Sequence, residues 1–113
     1  MSNSLESETE MQTLKAFAMT VDFKYDEDKL LDEVLAHILK TYSQHYSKDK
    51  YQATEFIIDA GHGKGFCIGN VLKYAQRYGK KGSHEDHKKD LLKIIHYAII
   101  ALFINNKEGN TDG

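Results

Sequence analysis

None of the 113 residues is proline. Proline ends or kinks a helix because it lacks the N–H and its ring collides with the preceding turn. Every helix stop in this chain must therefore come from glycine and polar residues. The glycines gather at two places, Gly61-His-Gly-Lys-Gly65 and the connector Gly79-Lys-Lys-Gly-Ser83. Between such breaks apolar residues recur every three or four positions, the period of a helix buried along one side. The pattern predicts an all-α fold, a compact bundle of three or four main helices.

The first strong helix runs from Asp26 to about Tyr46. Asp26 reads as its N-cap, and Glu27 and Asp28 fall in the first turn, where the helix dipole favours acids. Its stripe is Leu30, Leu31, Val34, Leu35, Ile38, Leu39 and Tyr42. A shorter helix over Asp49–Asp59 buries Phe56 and Ile57. Phe66–Tyr78 is the next, closed by Gly79 as a left-handed C-cap. Its apolar side is Cys67, Ile68, Val71, Leu72, Ala75 and Tyr78, with Asn70, Lys73, Gln76 and Arg77 opposite. The last helix runs from about His84 to Ile104 with Ser83 as N-cap. Leu91, Leu92, Ile94, Ile95, Ala98, Ile99 and Leu102 are its candidate core. The second half is apolar nearly all round and calls for a covering neighbour, so a homo-oligomer is expected. Met11–Tyr25 reads as a short helix or irregular packing.

A chain of this length supports one domain with a core, not two. We expect residues 11–104 to form that domain, with a disordered acidic tail at 1–10 and a second disordered tail at 105–113. Hydrophobic residues at 41% and charged residues at 28% give a globular balance. The single cysteine, Cys67, excludes an internal disulfide framework and a multi-cysteine zinc site, and fits a reducing, cytoplasmic compartment. The longest apolar run, Ala98 to Ile104, is far too short to span a bilayer, and the polar, acidic start does not read as a signal peptide. Net charge is −2, unevenly spread: residues 1–33 hold nine acids and three lysines, residues 62–93 eight Lys/Arg and three acids. A basic centre in an acidic chain points to a local anionic ligand, and no duplex DNA partner is expected.

Four groups could carry chemistry. Gly61-His-Gly-Lys-Gly65, with Lys64, permits close backbone approach to a phosphate at the head of the next helix. It is no Walker A loop, since Gly65 follows Gly63-Lys64 where Ser or Thr is needed; a flexible connection is the plain alternative. Asn70, Lys73 and Arg77 share one helix face, followed by Lys80 and Lys81, and could take a phosphate through charge-assisted bonds. A solvated polar face reads equally from the same spacing. Asp90, Lys93 and Tyr97 share a face of the last helix, as an ion pair with an interfacial tyrosine or as part of a site. Glu55 and Asp59, four apart, could share a divalent cation such as Mg2+, or be surface acids. Of six histidines most read as surface groups; His84 and His87 lack the partners of a structural metal site.

The ordered combination is more specific than its parts. Tyr51-Gln52, Glu55 to Asp59, Gly65-Phe66-Cys67-Ile68-Gly69-Asn70-Val71-Leu72-Lys73-Tyr74-Ala75-Gln76-Arg77, Lys80-Lys81-Gly82 and Asp90-Leu91-Leu92-Lys93 with Tyr97 resemble the family of phage nucleotide kinases typified by the T7 gene 1.7 protein. That family's small conserved domain long carried only an unknown-function label. The resemblance covers about residues 50–98. It implies phosphoryl transfer from a nucleoside triphosphate to deoxynucleoside monophosphates, by an oligomer without a P-loop, in the cytoplasm of an infected bacterium. Carried onto this chain, it implies catalytic roles for Arg77, Lys73 and Asp90. Tyr51, Lys64, Asn70, Tyr74, Lys80, Lys81, Lys93 and Tyr97 would bind the nucleotides, with Glu55 and Asp59 as the metal candidates. The chain departs from the family in having Lys50-Tyr51 where a His-Tyr pair is usual, with His45 or His62 as substitutes, and Ile94 where a small alanine follows the last-helix lysine.

Phosphoryl transfer needs positioning and charge neutralisation more than covalent help, which suits a lysine- and arginine-rich site. A non-catalytic nucleotide binder that sequesters a signal of host defence would need the same basic site without acceptor activation. A purely protein-binding helical module explains the apolar last helix but not the polar faces. A helical nucleotide pyrophosphatase would need more carboxylates at helical spacing than Glu55/Asp59 and Asp32-Glu33 provide.

Overall fold

The computed structural model describes residues 4–44 and 47–111, and these contain helices and no strand. Five helices follow in order: α1 (Ser4–Ala18), α2 (Glu27–Ser43), α3 (Ser47–Asp59), α4 (Gly63–Arg77) and α5 (His84–Thr111). The all-α expectation holds. The expected end of the second helix at Tyr46 lies outside the described residues, as does His45.

Where one domain over 11–104 was expected, the chain divides into two units, one reaching Leu31 and the other beginning at Asp32. The first holds α1 and the opening turn of α2. Its helix starts at Ser4, so most of the expected tail at 1–10 is helical. Glu, Gln, Met, Lys and Ala are good helix formers and no breaker interrupts them; apolar periodicity, which guided the expectation, is weak there. Asp26 precedes α2 with φ +56°, and its carbonyl accepts the first helical bond from Leu30 N at 2.8 Å.

The second unit is built around an antiparallel pair, α4 and α5. Gly79, at φ +79°, makes the left-handed turn after α4. Ser83 caps α5: its backbone N–H donates to Asp86 Oδ2 at 3.0 Å, and its Oγ accepts from Asp86 N at 3.4 Å, a reciprocal capping box. At the far end of the pair a Cβ on Gly63 would lie 2.8 Å from Ile104 Cδ1 and 3.0 Å from Ile58 Cγ1. Gly63 is thus the point where α3, α4 and α5 close on one another. Lys64 Nζ binds Glu108 at 2.6 Å across the same end. α5 continues past that bond to Thr111, through residues 105–111 of the expected tail and across Gly109.

Two expectations about faces are corrected. The described hydrophobic core is Val34, Cys67 and Ile104 only. On α4 the covered line is Gly63, Phe66, Cys67, Asn70, Val71 and Tyr74, while Leu72 is 64% exposed and Ile68 51%. The helix is rotated toward its aromatic and amide residues relative to the apolar face read from the sequence. On α2, Leu30, Leu31, Leu35, Leu39 and Tyr42 are exposed, and on α3 so is Phe56; on α5, Leu91, Ile95, Ala98, Ile99 and Leu102 are exposed.

Candidate anion-binding site

The two polar faces singled out in the sequence meet each other across the α4–α5 pair. Arg77 Nε lies 3.4 Å from Asp90 Oδ1. Asp90 is 2% exposed, and its Oδ1 accepts no hydrogen bond, so Arg77 is its counter-charge. Toward the middle of the pair the Tyr74 and Tyr97 rings stack at 6.2 Å, and Phe66 meets Tyr97 edge-on at 5.8 Å. The ammonium groups of Lys73 and Lys93 each sit 5.0 Å from the Tyr74 ring centre, within cation–π range. The Asn70 amide donates to Phe66 O at 2.9 Å, one turn back on its own helix. The Arg77–Asp90 pair and the packing of Phe66 and Tyr74 on Tyr97 therefore join the two helices.

Gly61-His-Gly-Lys-Gly65 is not an open phosphate loop. Gly63, Lys64 and Gly65 form the first turn of α4, and His62 heads it without a side-chain cap bond. The glycine is required at 63 by helix packing, and Lys64 is held by Glu108. Glu55 and Asp59 are exposed on α3. Among the described residues no group of three or more His, Cys, Asp or Glu could hold a metal ion.

The residues that do converge do so elsewhere, in a cavity of about 480 Å3 between α2, α3 and α5. That size lies within the roughly 300–1,000 Å3 of small-molecule sites. Of the predicted residues, Tyr51, Lys93 and Tyr97 line it. Lys40 and His37 come from α2, Lys50 from α3, and Lys88, Lys89 and His96 from α5. Its lining carboxylates are Glu33, ion-paired with Lys88, and Glu85. Five lysines against two glutamates leave a formal +3 with both imidazoles neutral. Neither Glu55 nor Asp59 lines this cavity, and its two carboxylates stand among five lysines with Glu33 already ion-paired, so its donor set does not fit a resident divalent cation.

Hydrogen bonding and stacking fix the cavity wall. Thr41 Oγ1 donates to Ile38 O at 2.7 Å. Its single proton thus committed, Thr41 accepts from the Tyr51 hydroxyl at 2.5 Å. Tyr51 stacks on Tyr42 at 4.3 Å. His37 and His96 meet edge-on at 6.1 Å, and His96 lies 6.4 Å from the Tyr51 ring. Partial burial holds the His37 pKa below its ordinary value, helped by Lys93, Lys50 and Lys40. Burial lowers His96 likewise, followed by His37 and Lys50. Burial raises the Tyr51 and Tyr97 hydroxyls and the Cys67 thiol.

A second, more open concavity of about 490 Å3 collects Arg77, Lys80 and Lys81 beside Gln76, Gly82 and Asp86 at the α4–α5 turn. The predicted site residues are thus scattered: Tyr51, Lys93 and Tyr97 line the first cavity, Arg77, Lys80 and Lys81 the second, and the others line neither. His62 and His84 are exposed, as expected of most of the histidines, whereas His37 and His96 are half-buried. A signal was present: Lys89, Leu92, Lys93, His96, Tyr97 and Ile100 form one helical stripe, as do His37, Lys40, Thr41 and Gln44.

No described helix is long and apolar enough to cross a membrane. No curated protein and no solved structure matches the chain closely enough to count as a relative. One family model, DUF3310, described as a protein of unknown function, matches residues 40–99. That span holds all five cavity lysines with Tyr51, His96 and Tyr97. It covers more than half of the sequence, and the chain belongs to the DUF3310 family.

Proposed function

We propose that the chain is a phage nucleotide-binding protein acting, as a homo-oligomer, as a P-loop-free deoxynucleoside monophosphate kinase with a nucleoside triphosphate as donor. The observation that supports it is the cavity in which Lys40, Lys50, Lys88, Lys89 and Lys93 surround the rings of Tyr51 and Tyr97. Ammonium groups suit phosphate oxygens and a tyrosine ring suits a base. In this reading the lysines align two phosphate groups and offset the charge that spreads during transfer. Arg77 and Asp90 stabilise the helix pair, and Lys73 steadies Tyr74.

A second reading, binding without transfer, draws on the acids of the cavity. Glu33 is ion-paired, and Lys50 stands where the resembled family has a histidine, which leaves Glu85 as the remaining lining carboxylate to activate an acceptor. The test is to incubate the protein with ATP and each deoxynucleoside monophosphate and to separate the products. A diphosphate supports the kinase. Nucleotide binding without a diphosphate leaves the sequestering protein. Tight duplex binding with no nucleotide binding, at low and high salt, overturns both.

A further inference from the structure

We infer that His37 and His96 determine which anions the cavity holds, by taking up protons as a polyphosphate enters so that the charge of the site rises to match its ligand. The inference rests on the nucleotide reading and adds a rule for discriminating phosphate groups by charge.

The two rings come from different helices and meet edge-on at 6.1 Å on the cavity lining. The groups facing them are known from each element. From α2 come Glu33 and Lys40, and from α3 Lys50 with the Tyr51 hydroxyl. From α5 come Glu85, Lys88, Lys89 and Lys93 with the Tyr97 hydroxyl. In the empty cavity a proton on either imidazole would join an excess of ammonium groups in a partly dry place, so both rings stay neutral near pH 7. The lowered pKa values of both agree with this.

A triphosphate carries a negative charge on each phosphoryl group and a second on the last. That is enough to outweigh the formal +3 and reverse the field at the two rings, and an opposite charge nearby favours the protonated imidazole. A single phosphate carries at most two charges and leaves the rings facing net positive surroundings. The pair therefore strengthens binding of a polyphosphate and not of a monophosphate, increasingly so as pH falls toward the ordinary histidine range.

The experiment is calorimetric titration of inorganic tripolyphosphate and of orthophosphate into the full chain at about pH 6.5 and about pH 8. Each is run in two buffers of different ionisation heat, for the unaltered protein, His37→Gln and His96→Gln. Comparing protein with variant cancels protons that the phosphates themselves bind. The unaltered protein should take up more protons with tripolyphosphate than at least one variant does. Its gain in affinity on acidification should exceed that variant's by about threefold or more, since one linked proton gives tenfold per pH unit. Orthophosphate should show no such difference. Equal uptake by the protein and both variants, with tripolyphosphate bound, overturns this inference alone. Failure of tripolyphosphate to bind at either pH also overturns this inference, and failure of ATP, titrated alongside it, overturns the nucleotide reading as well.

Discussion

Asp90 is the residue whose surroundings cost most if disturbed. Its carboxylate is 2% exposed and Arg77, itself 57% exposed in its side chain, is the counter-charge. Arg77→Ala would leave that carboxylate buried and uncompensated, at a cost of about 1–3 kcal/mol. Asp90→Asn in the same chain should recover part of it, because a neutral amide is cheaper to bury than an unpaired carboxylate. Urea denaturation of the two single variants and the double variant measures this; an unaltered midpoint for Arg77→Ala would remove the pair from the stability account. The histidines make a separate prediction at this scale. His37 and His96 have folded pKa values below the ordinary 6.5, so on acidification the unfolded chain binds protons first. Their contribution is intact well above 6.5 and is lost as pH falls through that value toward the folded pKa. His37→Gln with His96→Gln should shrink the difference in denaturation midpoint between about pH 7.5 and about pH 5.5; an undiminished difference would contradict the burial of these rings.

Among elements, α4 makes the sharpest demand on its residues. Gly63→Ala places a methyl 2.8 Å from Ile104 Cδ1, an overpacking penalty of about 1–3 kcal/mol against a helix gain near 1 kcal/mol. Gly69, on the same helix, has nothing within 4 Å of a built Cβ, so Gly69→Ala should stabilise by about 0.5–1 kcal/mol. Thermal melts of the two variants should therefore move apart. A destabilising Gly69→Ala would mean that another surface lies against that face. The same helix shows what the sequence makes legible. Helical periodicity located α2, α3 and α4 to within a turn, and chemistry at Gly79 and Ser83 located their neighbours, because caps and stripes are local properties. Which side of α4 is covered was not legible. Ile68 and Leu72 form as good an apolar stripe as Cys67 and Val71, and the choice was made by the aromatic packing of Phe66 and Tyr74 on Tyr97. The candidate site failed similarly: Tyr51, Lys93 and Tyr97 were identified, but His37 and Lys40 join them only through the approach of α2 to α5, a long-range fact that no spacing encodes.

For the whole molecule the decisive quantity is exposed apolar surface, and the residues that would fill an interface between copies are already aligned. Leu91, Ile95, Ile99 and Leu102 recur along one side of α5, 39–58% exposed, and Ile68 and Leu72 recur along α4. At about 25 cal/mol per Å2, covering 1,000 Å2 of such apolar surface would contribute about 25 kcal/mol before the costs of association. The protein should therefore self-associate at micromolar concentration, with a melting temperature that rises with concentration, as mass action requires of a fold completed by its copies. Leu72→Glu together with Ile95→Glu should dissociate it by burying charge at the interface. Sedimentation velocity decides the matter. A species heavier than 12.9 kDa in the unaltered protein, shifted downward by the paired substitution, is the expected result. A single 12.9 kDa species in the unaltered protein would mean that these faces meet water or a different partner.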